Sequence, residues 1–355
     1  MATPDLTVMG GGIFGLAVAW AALRRGAKVR LIEAARVGAG ASGGLVGALA
    51  PHVPENWNDK KAFQLASLLM AGAWWKGVEA ASGLDAGYAR TGRVQPLADD
   101  QAVAVARARA LGAADLWQGK AEWRVAPATG GPWQPHSPSG WVVVDTLSAR
   151  LNPRRAAAAL VAAIRARGGE VVEGEVVEGA PGDGAAGPVV WATGVVGLAA
   201  LSADLGRAVG GGVKGQALCL GFEAREAPQL FVAGLHIVPH GDGTVAIGST
   251  SEREWRDPSA TDAQLDALHQ RAVAACPALA GAPVLARWAG LRPRARSRAP
   301  ILGPWPGRPG QFIANGGFKI GFGMAPKVAE VMADLVLEGR DAIPAGFRVE
   351  ANLLA

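Results

Sequence analysis

The feature that most narrows the possible folds lies at the N-terminus. An apolar run, Leu6-Thr-Val-Met9, leads into Gly10-Gly-Gly12-Ile13-Phe14-Gly15. An alanine-rich stretch to Leu23 follows, and a second apolar run from Lys28 ends in the carboxylate of Glu33. Strand, glycines, helix, strand and acid in that order are the fingerprint of a dinucleotide-binding βαβ unit. Gly10 permits the tight turn, Gly12 lets backbone N–H groups approach a pyrophosphate, and Gly15 lets helix and strand pack closely. The helix N-terminus favours phosphate charge, and Glu33 is placed to accept from a ribose 2′-OH. A glycine-rich turn in an ordinary α/β domain is the plainer alternative.

A chain of 355 residues can build two cores, and with 50% apolar and 18% charged residues it is not disordered. No apolar stretch is long enough to predict a membrane span, and Asp5 stands where a secretion signal needs basic residues. A soluble cytoplasmic protein is expected, with oligomers neither required nor excluded. Cys219 and Cys276 lack CxxC or His-partner spacing, so buried thiols are expected and metal binding has no support. A net charge of +5 fits attraction of anionic ligands and is too diffuse to imply nucleic acid.

After Glu33 the small residues from Ala34 to Ala48 suit a backbone lying flat against a large ligand, with a surface loop as the alternative. Apolar spacing predicts helices over 62–78, 101–111, 153–167, 262–275 and 326–337, the last placed by Pro326. From Val213 the texture turns β-rich, with 230–239 as one run and His240-Gly-Asp-Gly243 as a hairpin turn. A return of α/β texture near Gly194 predicts a discontinuous first domain. The glycine-rich turn at Gly316–Gly321 feeds a helix N-terminus, a second place where backbone dipoles meet a ligand.

The order of these motifs resembles the FAD-dependent oxidoreductases of the D-amino-acid oxidase and glycine oxidase family over nearly the whole chain. The points of match include Gly10–Gly15, Ala41–Ala48, Ala192-Thr-Gly194, Val213-Lys-Gly-Gln216, Ile237-Val-Pro239, Gly248-Ser-Thr250, Ala289-Gly-Leu-Arg-Pro293 and Gly316–Gly321. The resemblance implies an α/β fold: a Rossmann-like, GR2-type FAD-binding domain with a second, mostly antiparallel β-sheet substrate domain. The expected boundaries are 1–82, 146–212 and 291–355 for the first, and 83–145 and 213–290 for the second. Noncovalent FAD would be held at the first turn by Gly10, Gly12, Ile13, Phe14 and Gly15, and at the adenosine ribose by Glu33 and Ala34. Ala41, Ser42, Gly43, Gly44, Leu45 and Gly47 would follow the ribityl chain and flavin, Val177 the adenine, with Ala192, Thr193 and Gly194 nearby. Gly316, Gly317, Phe318, Lys319, Ile320, Gly321 and Phe322 would cover the flavin's O2 edge.

The same resemblance assigns Arg292 to the substrate carboxylate, next to the flavin. A guanidinium matches that group with two parallel donors, and an arginine paired at a domain boundary is the alternative. Lys319 stands where the family has a second arginine, and offers a point charge without the fork. His236 replaces the family's carboxylate-binding tyrosine; it is expected to hydrogen-bond substrate and to change charge near neutral pH, or else to be a satisfied wall residue. The chain has only one tyrosine, Tyr88. The implied reaction is oxidation of a C–N bond in glycine, sarcosine or a D-amino acid, with hydride passing from Cα to flavin N5 and O2 or another acceptor taking the electrons onward. Tryptophan-rich walls predict that N-substituted or bulkier apolar amino acids react at least as well as glycine. Two alternatives stay open: an oxidase acting on a modified tRNA wobble uridine, with Arg287, Arg292, Arg294, Arg296 and Arg298 as its RNA footprint, and a flavin-binding subunit without turnover.

Overall fold

A computed structural model describes residues 3–176 and 187–353; Val177 lies outside them. Strand β1 (Leu6–Met9), helix α1 (Ile13–Arg24) and strand β2 (Val29–Glu33) form the expected βαβ unit, with β1 and β2 parallel. Helix α1 is buried on every side apart from its last residue, which explains its alanine content: only small side chains let it sit between other layers. A short strand β3 (Ala48–Leu49) leads to α2 (Asp59–Ser82), capped by Asn58 and ended by Gly83 in the left-handed conformation.

The chain continues through β4 (Arg93–Pro96), α3 (Asp100–Trp117), β5 (Trp123–Pro127), β6 (Trp141–Asp145) and β7 (Ala149–Arg150). Helix α4 (Pro153–Ala166), with Asn152 as N-cap, precedes β8 (Glu170–Glu173), β9 (Val189–Trp191) and α5 (Gly194–Asp204). Next come β10 (Gly210–Gly221), β11 (Gln229–Val232), β12 (Leu235–Pro239), β13 (Thr244–Gly248) and α6 (Ala263–Ala275). Finally β14 (Val284–Ala295), β15 (Ile301–Pro304) and β16 (Gln311–Asn315) lead to α7 (Gly321–Glu338).

Among the described residues the strands form two large sheets, in an α/β fold with a mixed and a mainly antiparallel sheet. The first runs β15-β16-β9-β1-β2-β8 and is parallel except for β15. The second runs β14-β10-β13-β12-β11-β4-β6-β5 and is antiparallel except at β11–β4. The strands of the first sheet are drawn from both ends and the middle of the chain. Helices α1, α2, α4 and α7 share one apolar core, while α6 packs on the second sheet against Leu218, Leu230, Ile237 and Ile247. Fully buried side chains such as Leu16 and Leu160 contribute on the order of 1.5–3 kcal/mol each.

Several boundaries differ from expectation. Helix α7 starts at Gly321, ahead of the expected Pro326, because the preceding turn begins the helix and proline is accommodated early within it. The run 230–239 is two antiparallel strands, because Ala233 and Gly234 both take positive φ and reverse the chain. Helix α3 extends to Trp117, whose burial against Trp123 carries the helix past its polar stretch. Both cysteines are free and buried. No helix of the described residues is long and apolar enough to cross a membrane.

Candidate active site

One cavity of about 1130 Å³ runs from Glu33 to Arg93, Phe231, His236 and Arg292 of the second sheet. That exceeds the ~300–1,000 Å³ of a single small-ligand pocket. At one end lies the turn before α1. Gly10 has φ +107, and a Cβ there would sit 2.6 Å from the carbonyl oxygen of Ala192; a Cβ on Gly15 would sit 2.0 Å from that of Gly10. Gly12 differs: its nearest neighbour would be the Ser42 hydroxyl at 3.3 Å, so its backbone opens into the cavity. Ser42 Oγ accepts from the Ile13 N–H (2.9 Å), whereas the N–H groups of Gly12 and Phe14 have no partner among the described residues. Those free donors at a helix N-terminus suit a phosphate.

The Glu33 carboxylate is held by the Gly11 N–H (2.7 Å) and the Ala35 N–H (3.0 Å), and lines the cavity with lone pairs to spare. The loop 41–48 continues the wall. Its Gly47 needs φ +64, and a Cβ there would lie 1.8 Å from the Leu151 carbonyl oxygen. At the far side α7 begins without a side-chain cap or an acid in its first turn, so its donors face the cavity beside Gly321 and Phe322. A dinucleotide with an extended aromatic head fits this set: free amide donors, a ribose acceptor, a flat small-residue wall and a positive helix end.

The second sheet closes the other side, and its register decides which side chains face in. Trp288 pairs with Ala217, Ala217 with Gly248, Gly248 with His236, and His236 with Phe231. Paired residues share a face, and so do alternate residues along a strand. Arg292, Gly290 and Gly215 therefore join that row. Gly215 lies opposite Gly290, and the two leave a trough. The Arg292 guanidinium lies in it, so that a Cβ on Gly215 would stand 1.9–2.1 Å from its Nη1, Nη2 and Cζ. Trp288 fills the Gly290 side, with Arg292 Cζ 6.0 Å from its ring centroid.

Arg292 is only 8% exposed. Its Nη1 donates to the Thr250 carbonyl oxygen at 3.2 Å, and its other nitrogens have no partner among the described residues. Burial pulls its pKa down to about 10, with Glu252 opposing the shift. Behind the strand, Gln216 Nε2 donates to Glu252 (3.0 Å) and Asp262 (2.8 Å), and Thr250 Oγ1 donates to Glu252. This network holds the Thr250 backbone that carries Arg292. Burial and the Arg292 charge lower the pKa of Lys319, whose Nζ lies 5.7 Å from the Phe318 ring centroid.

All the expected site residues line this one cavity except Gly15, Gly43 and Val177. Gly15 and Gly43 face backbone, at Gly10 and Gly38 respectively, and Val177 lies outside the described residues. His236 corrects one expectation. Burial, then the charges of Arg93 and Lys319, push its pKa down to about 3, so the ring stays neutral through the physiological range. It is also not a satisfied wall residue, since its Nδ1 is buried without a partner among the described residues. Six of the twelve tryptophans are buried, Trp20, Trp75 and Trp117 fully so; Trp191, Trp288 and Trp305 line the cavity, and Trp288 is the one beside Arg292. The arginines of 287–298 do not form one exposed stripe: Arg287 pairs with Asp266, Arg292 turns inward, and Arg294 lies over Phe318.

Trp288 and Arg93 carry no sequence signal of a site role, and Gly215 and Gly290 fall inside matched motifs without one. A glycine inside a strand signals close approach, so Gly215 and Gly290 were detectable in principle. Arg93, on β4, reaches this cavity through a parallel pairing with β11 that no local pattern announces.

The sequence model of the family described as FAD dependent oxidoreductase (DAO) matches residues 5–335. The chain is 34% identical over 143 residues to the glycine oxidase of Pseudomonas putida, a stretch covering 40% of this chain and 39% of that protein. It thus spans about two-fifths of that relative's length. It is 28% identical to the glycine oxidase of Geobacillus kaustophilus, over 94% of this chain and 92% of the other. The crystal structure of glycine oxidase from Geobacillus kaustophilus superimposes with a TM-score of 0.84 at 23% identity, covering 98% and 99% of the two chains.

Proposed function

The chain belongs to the FAD dependent oxidoreductase family of the DAO type, and from that premise we propose that it oxidises the C–N bond of a small amino acid, of the kind of glycine, sarcosine or a D-amino acid. The observation that carries the reading is Arg292: a buried guanidinium in a glycine trough, with donors left open toward the cavity that also holds the bare end of α7. Glu33 would hold the adenosine ribose, the N–H groups at the start of α1 the pyrophosphate, and loop 41–48 with the start of α7 the flavin. When bound, FAD supplies a two-electron acceptor.

The protein's own part is binding and orientation. Arg292 takes the carboxylate through two parallel donors and so fixes which way the Cα–H points. Lys319 adds positive charge nearby. Neutral His236 offers a ring nitrogen to the substrate without adding charge. The amine gives up a hydride from Cα and a proton from nitrogen. Water then adds to the resulting imine, releasing ammonia, or an alkylamine where the nitrogen carried an alkyl group, and leaving an oxo acid. Proximity and orientation contribute about 7–11 kcal/mol in such sites, and the arrangement needs no paired acid and base.

Anaerobic mixing of the FAD-loaded protein with amino acids tests this: the flavin absorbance should bleach. Arg292→Ala should lower kcat/KM by about 2–4 kcal/mol with flavin content retained. Equal loss for amines lacking a carboxylate would assign Arg292 a structural role instead.

A further inference from the structure

The wall facing Arg292 carries a second guanidinium that the reaction as described does not use. Arg93 is 5% exposed and lines the same cavity. Its Nε donates to Asp145 Oδ2 at 2.9 Å, and its two terminal nitrogens have no partner among the described residues. Asp145 is fully buried, with its other oxygen taken by the Ser148 N–H at 2.7 Å. The pair therefore fixes the arginine by one edge and leaves its fork free. The fork opens into the cavity, and a carboxylate is the acceptor that matches it.

The surroundings repeat the point. Lining residues at this end include Arg93, Arg292 and Lys319, while the acids lining the cavity among the described residues, Glu33 and Glu175, belong to the nucleotide end. Arg93 Cζ lies 5.6 Å from the Phe231 ring centroid, which places the guanidinium toward β11; Arg292 lies over Gly215 on β10. Strands β13 and β12 separate these two, roughly 14 Å of sheet at ~4.8 Å per strand. With a carboxylate bound to each arginine, a few bonds remain between the two anions, and His236 sits in that interval.

We propose that Arg93 is a second anion anchor and that the preferred substrate is an amine bearing two carboxylates, an iminodicarboxylate or an acidic D-amino acid. The amine-oxidation reading above supplies the reaction; the anchor adds the substrate class. It differs from the expectation of an apolar side-chain preference, because a guanidinium, Arg93 beside Phe231, stands among the groups that would meet the side chain.

The test uses FAD-loaded protein and two readouts. The first is binding, by calorimetry or by the shift of the flavin spectrum, of unreactive glutarate against acetate. The second is flavin reduction by iminodiacetate and D-glutamate against glycine, sarcosine and D-alanine. The wild type should favour each dicarboxylate by on the order of tenfold or more, as expected for one charged hydrogen-bonded pair. Combining Arg93→Gln with Asp145→Asn avoids leaving a buried lone charge and should abolish that ratio; Arg93→Lys should keep part of it. Equal treatment of mono- and dicarboxylates by the wild type, or parallel loss of both in the variants, overturns the anchor. If glutarate binds through Arg93 and no amino acid reduces the flavin, the anchor stands and amine oxidation falls. If glycine and sarcosine reduce the flavin and dicarboxylates show no advantage, the reverse holds.

Discussion

Gly215 illustrates how much can rest on one missing methyl group. It touches no ligand in the proposed chemistry, yet its bare backbone is the floor on which the Arg292 guanidinium lies. A Cβ would overlap the mobile end of a side chain and leave the backbone undisturbed, so the protein should fold while the arginine is displaced. Gly215→Ala is therefore expected to retain FAD and thermal stability but to lose most of the effect of Arg292, about 2 kcal/mol or more in kcat/KM for carboxylate-bearing amines. Retention of full activity in that variant would show that the trough is not needed. His236 makes a different prediction. Its pKa in the fold, about 3, lies below the ordinary 6.5, so the unfolded chain binds a proton first as pH falls. Its contribution to stability is complete above about 6.5 and is lost as pH falls toward 3, at about 1.4 kcal/mol per unit. Denaturation midpoints of wild type and His236→Asn should thus converge or cross as pH drops from 7 to 4; parallel profiles would contradict a buried neutral ring.

Among the elements, the turn from β1 into α1 is the most tightly constrained. Gly15 sits in the first turn of α1 with the Gly10 carbonyl oxygen where its Cβ would be, and Ala192 of the next strand close by. The first contact is with backbone and the second with the Ala192 Cβ, and both residues are tied to neighbouring strands by the bonds Gly10 N–H to Ile32 O (2.8 Å) and Ala192 N–H to Met9 O (2.7 Å), so nothing moves cheaply. Gly15→Ala should destabilise the protein by about 1–3 kcal/mol and weaken FAD retention together, measured by thermal melting and flavin content. Loss of neither would mean that helix and strand have slack. This element was legible because its requirements are local: a turn, a close approach and a helix start within a dozen residues. The start of α7 was less legible, because Gly321-Phe-Gly323 reads as loop and Pro326 as a first helical residue. The buried packing of Met324, Ala325 and Val328 holds the helix together there, and packing of that kind is not visible in propensity.

At the scale of the whole molecule, the cavity is assembled from segments far apart in the chain: the first turn, loop 41–48, β4, the strands from β11 to β14, and the start of α7. The sequence by itself determined the βαβ unit, the carboxylate of Glu33 at the end of its second strand and the run of small residues from 34 to 48, because each depends on residue type at short spacing, whereas the candidacy of Arg292 came from the resemblance to a family. It also announced the hairpin between β12 and β13 through His240-Gly-Asp-Gly243. Only the tertiary structure decided that Gly215 and Gly290 lie opposite each other, that half of the tryptophans are buried core, and that His236 stays neutral. Arg93 is the clearest case. In sequence it is one arginine among many beside a glycine; in the fold, strand β4 adds to β11, Asp145 holds its Nε, and its free fork meets a cavity that Arg292 and Lys319 also line. Burial, pairing across a sheet and the sum of nearby charges are properties of arrangement, and no spacing along the chain encodes them.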